Sequence, residues 1–333
     1  MPDRTAWLDR TREAALEPEL PVCDPHHHLW EHPGSRYLLD EFLRDADSGH
    51  RIVSTVYVEC LQHYRTGGPP ELRPVGETEY VQRVAESHER AGGGRRIAAG
   101  IVGFADLTLG PAVAPVLEAH LEASDRFRGV RYASAWDASP DIRATHTHPR
   151  PGLLREPAFR AGFARLARLG LSFDAWLYHA QFAELAELAR EFPGVTIVLD
   201  HMGGPLGIGP YAARREETFA EWRAGLAGLA RCDNIVVKLG GRTLTAAGFG
   251  WHRRDAPPGS EELASAMGPY CTACIDIFGP ARCMFESNFP VDRASCSYAV
   301  LWNAFKLVAR GYSEAERAAL FHDTAAAVYR LSG

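Results

Sequence analysis

Eight short apolar runs alternate along this chain with longer amphipathic stretches rich in Ala, Leu, Glu and Arg. Short apolar runs are typical of buried β-strands, and the stretches between them have the periodicity of helices packed on one face. Strands are predicted at Leu20–Cys23 with the histidines that follow, Ile52–Glu59, Ile97–Phe104, Phe127–Tyr132, Leu171–Tyr178, Thr196–His201, Ile235–Leu239 and Cys283–Ser287. Helices are predicted at Glu77–Ala91, Leu107–Ala123, Pro157–Leu169, Gln181–Phe192, Arg214–Ala230, Ser260–Phe278, Tyr298–Ala309 and Ser313–Leu331. These units predict a parallel sheet covered by helices.

The number of βα units decides between two ways of arranging such a sheet. A doubly wound open sheet that binds a dinucleotide would carry a GxGxxG motif, and the chain has none. Eight units are the number that closes a (β/α)8, or TIM, barrel. We therefore predict one α/β domain over residues 1–333, with the long loops Ala133–Glu156 and Thr243–Glu261 over the carboxyl ends of the strands.

Composition and charge exclude several classes of protein. The 333 residues carry a formal net charge of -6 and no long basic run, so a nucleic-acid partner is not expected. There is no run of ~18 apolar residues and the N-terminus is charged, so we expect no membrane association and a cytoplasmic protein. Seven cysteines without a paired spacing fit a reducing compartment, and the CxxC of Cys271 and Cys274 falls within a predicted helix.

The first predicted strand ends in Asp24-Pro-His26-His27-His28-Leu-Trp30. Because side chains alternate along a strand, His26 and His28 share one face while His27 points the other way. Two imidazoles that face a barrel interior make half of a metal site or of a proton-transfer site. A histidine-rich loop without function is the alternative, but two interior histidines would then lack a partner.

Two further histidines end predicted strands, His179 the fifth and His201 the sixth. Each alone fits a hydrogen-bonded core histidine as well as a catalytic one. Catalytic groups of a TIM barrel gather at the carboxyl ends of its strands. Four histidines at three strand ends therefore predict an active site there.

Four segments carry a specific resemblance to a known family. They are Asp24-Pro-His-His-His-Leu-Trp30, Gly129-Val-Arg-Tyr132, Leu199-Asp-His-Met-Gly-Gly-Pro205 and Met284-Phe-Glu-Ser-Asn-Phe-Pro-Val-Asp292. The chain resembles, over residues 20–331, the amidohydrolase-related family of sugar lactonases, pyrone-dicarboxylate and muconolactone-type lactonases, and aromatic acid decarboxylases. The resemblance implies His26 and His28 as metal ligands, His179 as a third ligand and His201 as a catalytic histidine. It implies a divalent metal cofactor, zinc in preference to manganese.

The eighth strand departs from that family at Asn288, where many members have an aspartate that holds the metal and accepts a proton from the attacking water. Asparagine coordinates weakly through its carbonyl oxygen and has no titratable group. We therefore expect a weakened metal site and a carboxylate base elsewhere. The candidates are Glu59 after the second strand, Glu286 on the same face as Asn288, and Asp292 in the following loop. Glu59 is preferred, with an ion pair to Arg131 as the alternative.

Cationic and aromatic side chains near the strand ends are candidates for binding substrate. Arg131 suits a carboxylate through bidentate pairing, and Lys238 adds a second charge; a buried ion pair is the alternative for both. The other substrate-binding candidates are Trp30, Tyr57, Tyr132, Trp136, Trp176 and Trp251, with His146, His148 and His252 in the long loops. The loop residues could equally face solvent or a subunit.

Together these residues predict hydrolysis of a lactone or related carbonyl compound of a small carboxylated substrate. His201 or a carboxylate would activate water, and a metal, or His179, Asn288 and Arg131, would polarise the carbonyl. Two alternatives stay open: a metal-dependent non-oxidative decarboxylase of an aromatic or enoic acid, and a barrel that binds a small acid without turnover. The helix Tyr298–Ala309 could supply a homo-oligomer surface or simply cover the barrel.

Overall fold

The computed structural model describes residues 4–331 as a barrel of eight parallel strands. The barrel strands are Pro21–His27, Arg51–Val58, Arg96–Gly103, Phe127–Ala133, Ser172–Trp176, Ile197–Leu199, Ile235–Leu239 and Cys283–Phe285. Each pairs in parallel with the next one along the chain. The predicted α/β class and TIM-barrel architecture are confirmed.

The barrel closes between its first strand and the segment that follows its eighth. His28 N donates a hydrogen bond to Phe289 O at 2.8 Å, and Asn288 N donates to His26 O at 2.9 Å. Both bonds lie at the carboxyl ends of the strands, where the first strand carries its histidines. Closure of the barrel therefore holds His26 and His28 beside Asn288.

Helices cover the outside of the barrel, and two of them have the predicted bounds. The helices are Thr5–Leu8, Leu39–Ala46, Val75–Arg90, Ala114–Ala123, Pro157–Leu169, Phe182–Glu191, Arg215–Leu229, Ser260–Phe278, Tyr298–Val308, Glu314–Ala318 and Thr324–Val328. Ser313 begins the C-terminal helical segment with a capping box, since Ser313 N donates to Glu316 Oε2 at 2.8 Å. Within residues 4–331 no helix is long and apolar enough to cross a membrane.

Three local features differ from the prediction. A hairpin of Trp30–His32 and Ser35–Tyr37 follows the first barrel strand, and each of its strands is too short for periodicity to reveal. The predicted helix Leu107–Ala123 begins as a 3₁₀ segment over Leu107–Val113, because Gly110 has a φ of 60° inside it. A π turn at Ala319–Asp323 interrupts the last predicted helix.

The apolar residues form two layers that follow the alternation of side chains along the strands. Val56 and Val58 belong to a small cluster with Tyr329, whereas Tyr57, between them in sequence, packs in the large core under the helices. Trp302 is fully buried in that large core, so the helix Tyr298–Val308 covers the barrel. Cys271 is likewise buried on a face of Ser260–Phe278.

Candidate active site

One buried carboxylate, Glu286, joins two of the strand-end histidines. Its Oε1 lies 2.6 Å from His201 Nδ1, and its Oε2 lies 2.7 Å from His26 Nδ1. Burial alone would raise the pKa of Glu286, but the two histidines outweigh it and lower that pKa to about 2. Glu286 is therefore an ionised acceptor, and its hydrogen bond to Nδ1 leaves Nε2 of His201 as the other functional nitrogen.

Backbone conformation and two glycines fix this arrangement. His201 and Met202 have φ values of 55° and 56°, a left-handed conformation that non-glycine residues rarely adopt. A Cβ at Gly240 would lie 2.3 Å from Glu286 Cγ, and one at Gly241 would lie 2.6 Å from His201 Cβ. The seventh strand therefore has to end in glycines for His201 and Glu286 to occupy these positions. Strained residues of this kind gather at functional sites.

Lys238 places a permanent charge beneath the histidines. Its Nζ lies 2.6 Å from Asp174 Oδ2, 3.1 Å from Asp200 Oδ1 and 3.3 Å from His26 Nδ1. Burial disfavours the ammonium, but Asp174 and Asp200 outweigh it and raise the pKa of Lys238. Burial and the charge of Lys238 together lower the pKa of His26 well below its usual range, so His26 is neutral. The buried ion pair that the sequence left as an alternative is the arrangement found for Lys238.

Arg131 forms an ion pair with Glu59. From the sequence, this ion pair was the alternative to a catalytic role for Glu59. Arg131 Nε donates to Glu59 Oε1 at 2.8 Å, and Arg131 Nη1 lies 3.4 Å from His26 Nε2. Glu59 is fully buried, and its Oε2 has no hydrogen-bond partner among residues 4–331. The carboxylate thus positions the guanidinium beside His26, and it does not line the cavity described below.

Asn288, His28 and Asp292 form the side of the site that faces the barrel closure. His28 donates from Nδ1 to Val58 O at 2.8 Å, and its Nε2 lies 3.4 Å from Asn288 Oδ1. Asn288 has a φ of 53° and donates from Nδ2 to Asp292 Oδ1 at 3.3 Å. Burial raises the pKa of Asp292 to about 7. A carboxyl group that titrates near neutrality therefore lies behind the asparagine.

Three donor atoms suit a divalent metal ion. Among the described residues, one ligand atom each from His26, Asp200 and His201 lies within 4.8 Å of the others. Two imidazole nitrogens and a carboxylate oxygen are donors that zinc and manganese accept. Neither oxygen of Asp200 has a partner in hydrogen-bonding geometry, although Lys238 lies near one of them. These residues therefore fit a divalent ion that would share Asp200 with Lys238.

His179, the predicted third ligand, lies outside this group. It follows the fifth strand in a short 3₁₀ turn, and its ring packs edge-on to Tyr211 at 5.3 Å between centroids. His28 is not in the group either; its Nδ1 donates to Val58 O, and its Nε2 lies 3.4 Å from Asn288 Oδ1. Asp200 belongs to one of the four family-like segments but was not predicted as a metal ligand. Because Val198, two residues earlier, faces the inside of the barrel, the alternation of side chains would have placed Asp200 on the same inner face.

A cavity of about 250 Å³ opens above these residues. It is lined by His28, Trp30, His32, Cys60, Leu61, Arg131, Ala133, His146, Trp176, His201, Leu244, Asn288 and Val291. The ring of Trp176 stands edge-on to that of His201, with centroids 4.7 Å apart. Of the predicted substrate-binding residues, Trp30, Arg131 and Trp176 line this cavity, as does His146.

Five predicted substrate-binding residues do not line it, and one of them is Lys238, which is buried against Asp174. Tyr57 and Tyr132 face outward, where their hydroxyl groups donate to Glu77 and Asp106. Side-chain alternation explains this, because each tyrosine is next in sequence to an inward residue. Trp251 is buried and donates to Glu262 at 3.1 Å.

Trp136 is the fifth predicted substrate-binding residue that does not line the cavity. It is half-buried in the loop after the fourth strand, where its backbone N donates to Gln181 Oε1 at 3.0 Å. The other long-loop histidines, His148 and His252, do not line the cavity. Asp174 was missed altogether, because a single acidic residue within an apolar strand gives no sign of the Lys238 that it contacts.

Comparison with known proteins identifies the family of the chain. The chain matches the model of the Amidohydrolase family over residues 23–331. It is 34% identical to the uncharacterized protein y4mH of Sinorhizobium fredii, over 94% of this chain and 99% of that protein. It is 29% identical to an L-fucono-1,5-lactonase of Burkholderia multivorans, over 92% and 95% of the two chains.

A solved structure gives the same result. The crystal structure of an amidohydrolase from Burkholderia multivorans with bound zinc is similar to this chain with a TM-score of 0.70 and 25% identity, over 93% of this chain and 99% of that one. The family match covers the strand-end histidines, Glu286 and Asn288. The chain is therefore a hydrolase of the amidohydrolase family.

Proposed function

We propose that this enzyme is a lactonase that opens the ring of a small, polar lactone by adding water. The observation that carries the proposal is His201, which Glu286 holds by Nδ1 while the ring lines the cavity. The similarity to L-fucono-1,5-lactonases and to an L-rhamnono-gamma-lactonase supports it. The cavity is small and has both polar and apolar walls, which suits a compact hydroxylated or carboxylated ring.

His201 is the base of this mechanism. Burial lowers the pKa of His201, but Glu286 and nearby aspartates outweigh it and raise that pKa above its usual value. Because Nδ1 donates to Glu286, Nε2 accepts the proton of a water molecule as the water oxygen attacks the lactone carbonyl. A base with a pKa near ambient pH is most effective in such a step.

Arg131 stabilises the negative charge that the attack places on the carbonyl oxygen. Its guanidinium lines the cavity and is held in place by Glu59, and the amide of Asn288 lies on the same cavity. A fixed cation in a site that excludes water stabilises an oxyanion more strongly than water does. The ring C–O bond then breaks, and protonated His201 returns its proton to the leaving ring oxygen. The product is an open-chain hydroxy acid.

A divalent ion at His26, Asp200 and His201 would supply Lewis-acid polarisation of the carbonyl. If His201 served as a ligand, it could not also accept the proton from water. The candidate base would then be Asp292, which lies behind Asn288 and whose pKa burial raises to about 7. The two roles of His201 can be separated by experiment.

A panel of sugar-acid lactones, including L-fucono-1,5-lactone and L-rhamnono-gamma-lactone, tests the proposal through the acid released on ring opening. We expect at least one substrate to be hydrolysed, and His201→Asn to lower kcat/KM by about 10³-fold. The matched control is His322→Asn, which changes a half-buried histidine that pairs with Asp323 far from the cavity lining and should keep full activity.

Two results would contradict the proposal. The first is a folded wild-type protein that opens no lactone in the panel. The second is activity that survives His201→Asn, since no base at that position would then be needed. If Asp292→Asn removes activity and His201→Asn removes metal, His201 is a ligand and Asp292 is the base.

A further inference from the structure

A second cavity, also of about 250 Å³, lies on the other side of Trp30 from the active site. It is formed by the first helix, the hairpin, the helix Leu39–Ala46 and the loop after the eighth strand. Its charged lining consists of four arginines and one glutamate: Arg4, Arg36, Arg44, Arg293 and Glu41. No part of the proposed mechanism uses these residues.

The glutamate is already engaged by two of the arginines. Glu41 Oε1 accepts hydrogen bonds from Arg36 and from Arg44, the latter at 3.0 Å, and Oε2 accepts from Leu38 N. Arg36 also has Glu31 at 3.9 Å, outside the cavity. Within residues 4–331 no other carboxylate lines the cavity; Asp45, outside the lining, forms an ion pair with Arg293, and no described carboxylate pairs with Arg4.

Arg4 and Arg293 have weak partners. Arg4 donates from Nη2 to a backbone oxygen, His252 O, at 2.9 Å, and Arg293 donates from Nη2 to Thr5 Oγ1 at 2.9 Å. Asp45 lies 3.4 Å from Arg293 Nε but not in hydrogen-bonding geometry. The Nε atoms of both arginines are buried without an acceptor in the described part of the chain.

Four guanidinium groups around one small cavity repel one another, and a bound anion removes that repulsion. Arginine forks bind the oxygens of carboxylate and phosphate groups in bidentate fashion. We propose that this cavity binds a small molecule that bears a phosphate or carboxylate group. Trp30 and Tyr37, which also line it, offer flat faces for the rest of that molecule.

The position of the cavity couples it to the active site. Trp30 lines both cavities, and Pro290 and Arg293 follow Asn288 by two and five residues. An anion bound here therefore holds the Trp30 wall of the active site. The anion is either the far end of the substrate or a separate molecule, and both sources present the same oxygens.

Thermal unfolding with inorganic phosphate tests the proposal without reference to any activity. At 10 mM phosphate, compared with chloride at equal ionic strength, we expect the wild-type Tm to rise by about 2 °C. Arg4→Gln/Arg293→Gln should abolish that rise. The control Arg168→Gln/Arg223→Gln, which removes two exposed arginines outside the cavity, should keep it.

A second double variant tests the proposal in case Arg4→Gln/Arg293→Gln does not fold. Arg36 and Arg44 have side chains 47% and 72% exposed, so Arg36→Gln/Arg44→Gln should fold normally and lower phosphate affinity at least threefold in calorimetry. The proposal would be overturned if phosphate raised the Tm of the wild type and of Arg4→Gln/Arg293→Gln equally. It would also be overturned if phosphate had no effect on Tm beyond that of chloride. If phosphate binds and also raises KM for the lactone, the anion is the substrate's own; if KM is unchanged, it is a separate molecule.

Discussion

The floor and the rim of the active site are built in opposite ways. The floor, defined here as His26, Asp174, Lys238 and Glu286, is fully buried, and every member contacts another charged or titratable group. The rim, Trp30, Leu61, His146 and Trp176, is partly exposed and has few polar partners. The floor is thus preorganised by the protein itself, whereas the rim can change with substrate at small cost to the fold.

The largest effect should come from the carboxylate that joins two histidines. Glu286→Gln replaces the carboxylate that pairs with both His26 and His201 by a neutral amide, so His201 loses its fixed orientation. We expect kcat/KM for the lactone to fall by about 10³-fold while KM changes little. The control Glu187→Gln removes an exposed carboxylate that pairs with Arg155. Full activity of Glu286→Gln would show that the floor does not act on His201.

Measuring the metal content of two variants shows whether His26 of the floor or His179 is a metal ligand. In protein purified with zinc, we expect about one ion per chain, lost in His26→Ala and retained in His179→Ala. Mass spectrometry of the metals, with circular dichroism to confirm folding, gives the answer. Loss of zinc in His179→Ala with retention in His26→Ala would return His179 to the ligand role that the family resemblance implied.

The buried charges of the floor should dominate stability. Lys238→Met leaves Asp174 and Asp200 without their cation, and removing one partner of a buried pair costs about 3–5 kcal/mol. Urea unfolding measures this loss. Asp174→Asn/Lys238→Met should recover part of it, because one uncompensated carboxylate is then removed. A loss below ~1 kcal/mol in the single variant would mean that the floor is not a coupled network.

A buried histidine outside the site provides a contrast. His120 contacts Thr78 Oγ1 and Phe104 O, and burial lowers its pKa to about 4. Its neutral form is favoured by folding, so this contribution is complete above the usual value of 6.5 and is lost as the pH falls towards 4. Between pH 7.5 and 4.5 the wild type should lose up to about 3 kcal/mol more than His120→Phe in urea unfolding. Equal losses would refute the assignment.

The smallest effect is expected at the rim. His146 has a side chain 30% exposed and lies 3.8 Å from Glu59. His146→Gln should change KM by less than about fivefold and leave the unfolding free energy within ~0.5 kcal/mol. A loss of activity as large as that of Glu286→Gln would move His146 from the rim into the catalytic machinery.

The sequence was sufficient for the fold and for part of the site. Eight strands, the helix bounds of Pro157–Leu169 and Ser260–Phe278, and the shared face of His26 and His28 all follow from local periodicity. Local pattern fails where the partner is distant in sequence. For Glu59 the sequence left a catalytic base and an ion pair with Arg131, 72 residues away, both open, and only the structure shows the pair.

Side-chain alternation would have corrected two further residues. Tyr57 and Tyr132 were assigned to the substrate because they lie near strand ends, although each neighbours an inward residue and so faces the helices. Side-chain alternation indicates on which face of the sheet a residue lies, but not which residue it contacts. It therefore gives no information about the hairpin, the second cavity or the loop that holds Trp136.

The amino-acid sequence by itself determined the barrel, the histidine pair of the first strand and the presence of an asparagine, Asn288, after the eighth strand. Only the tertiary structure decided that Glu286 joins His26 to His201, that Lys238 lies between Asp174 and Asp200, and that His179 is elsewhere. The reason is physical: periodicity is a local property of a chain, whereas pairing between buried charges depends on which strands the closed barrel brings together.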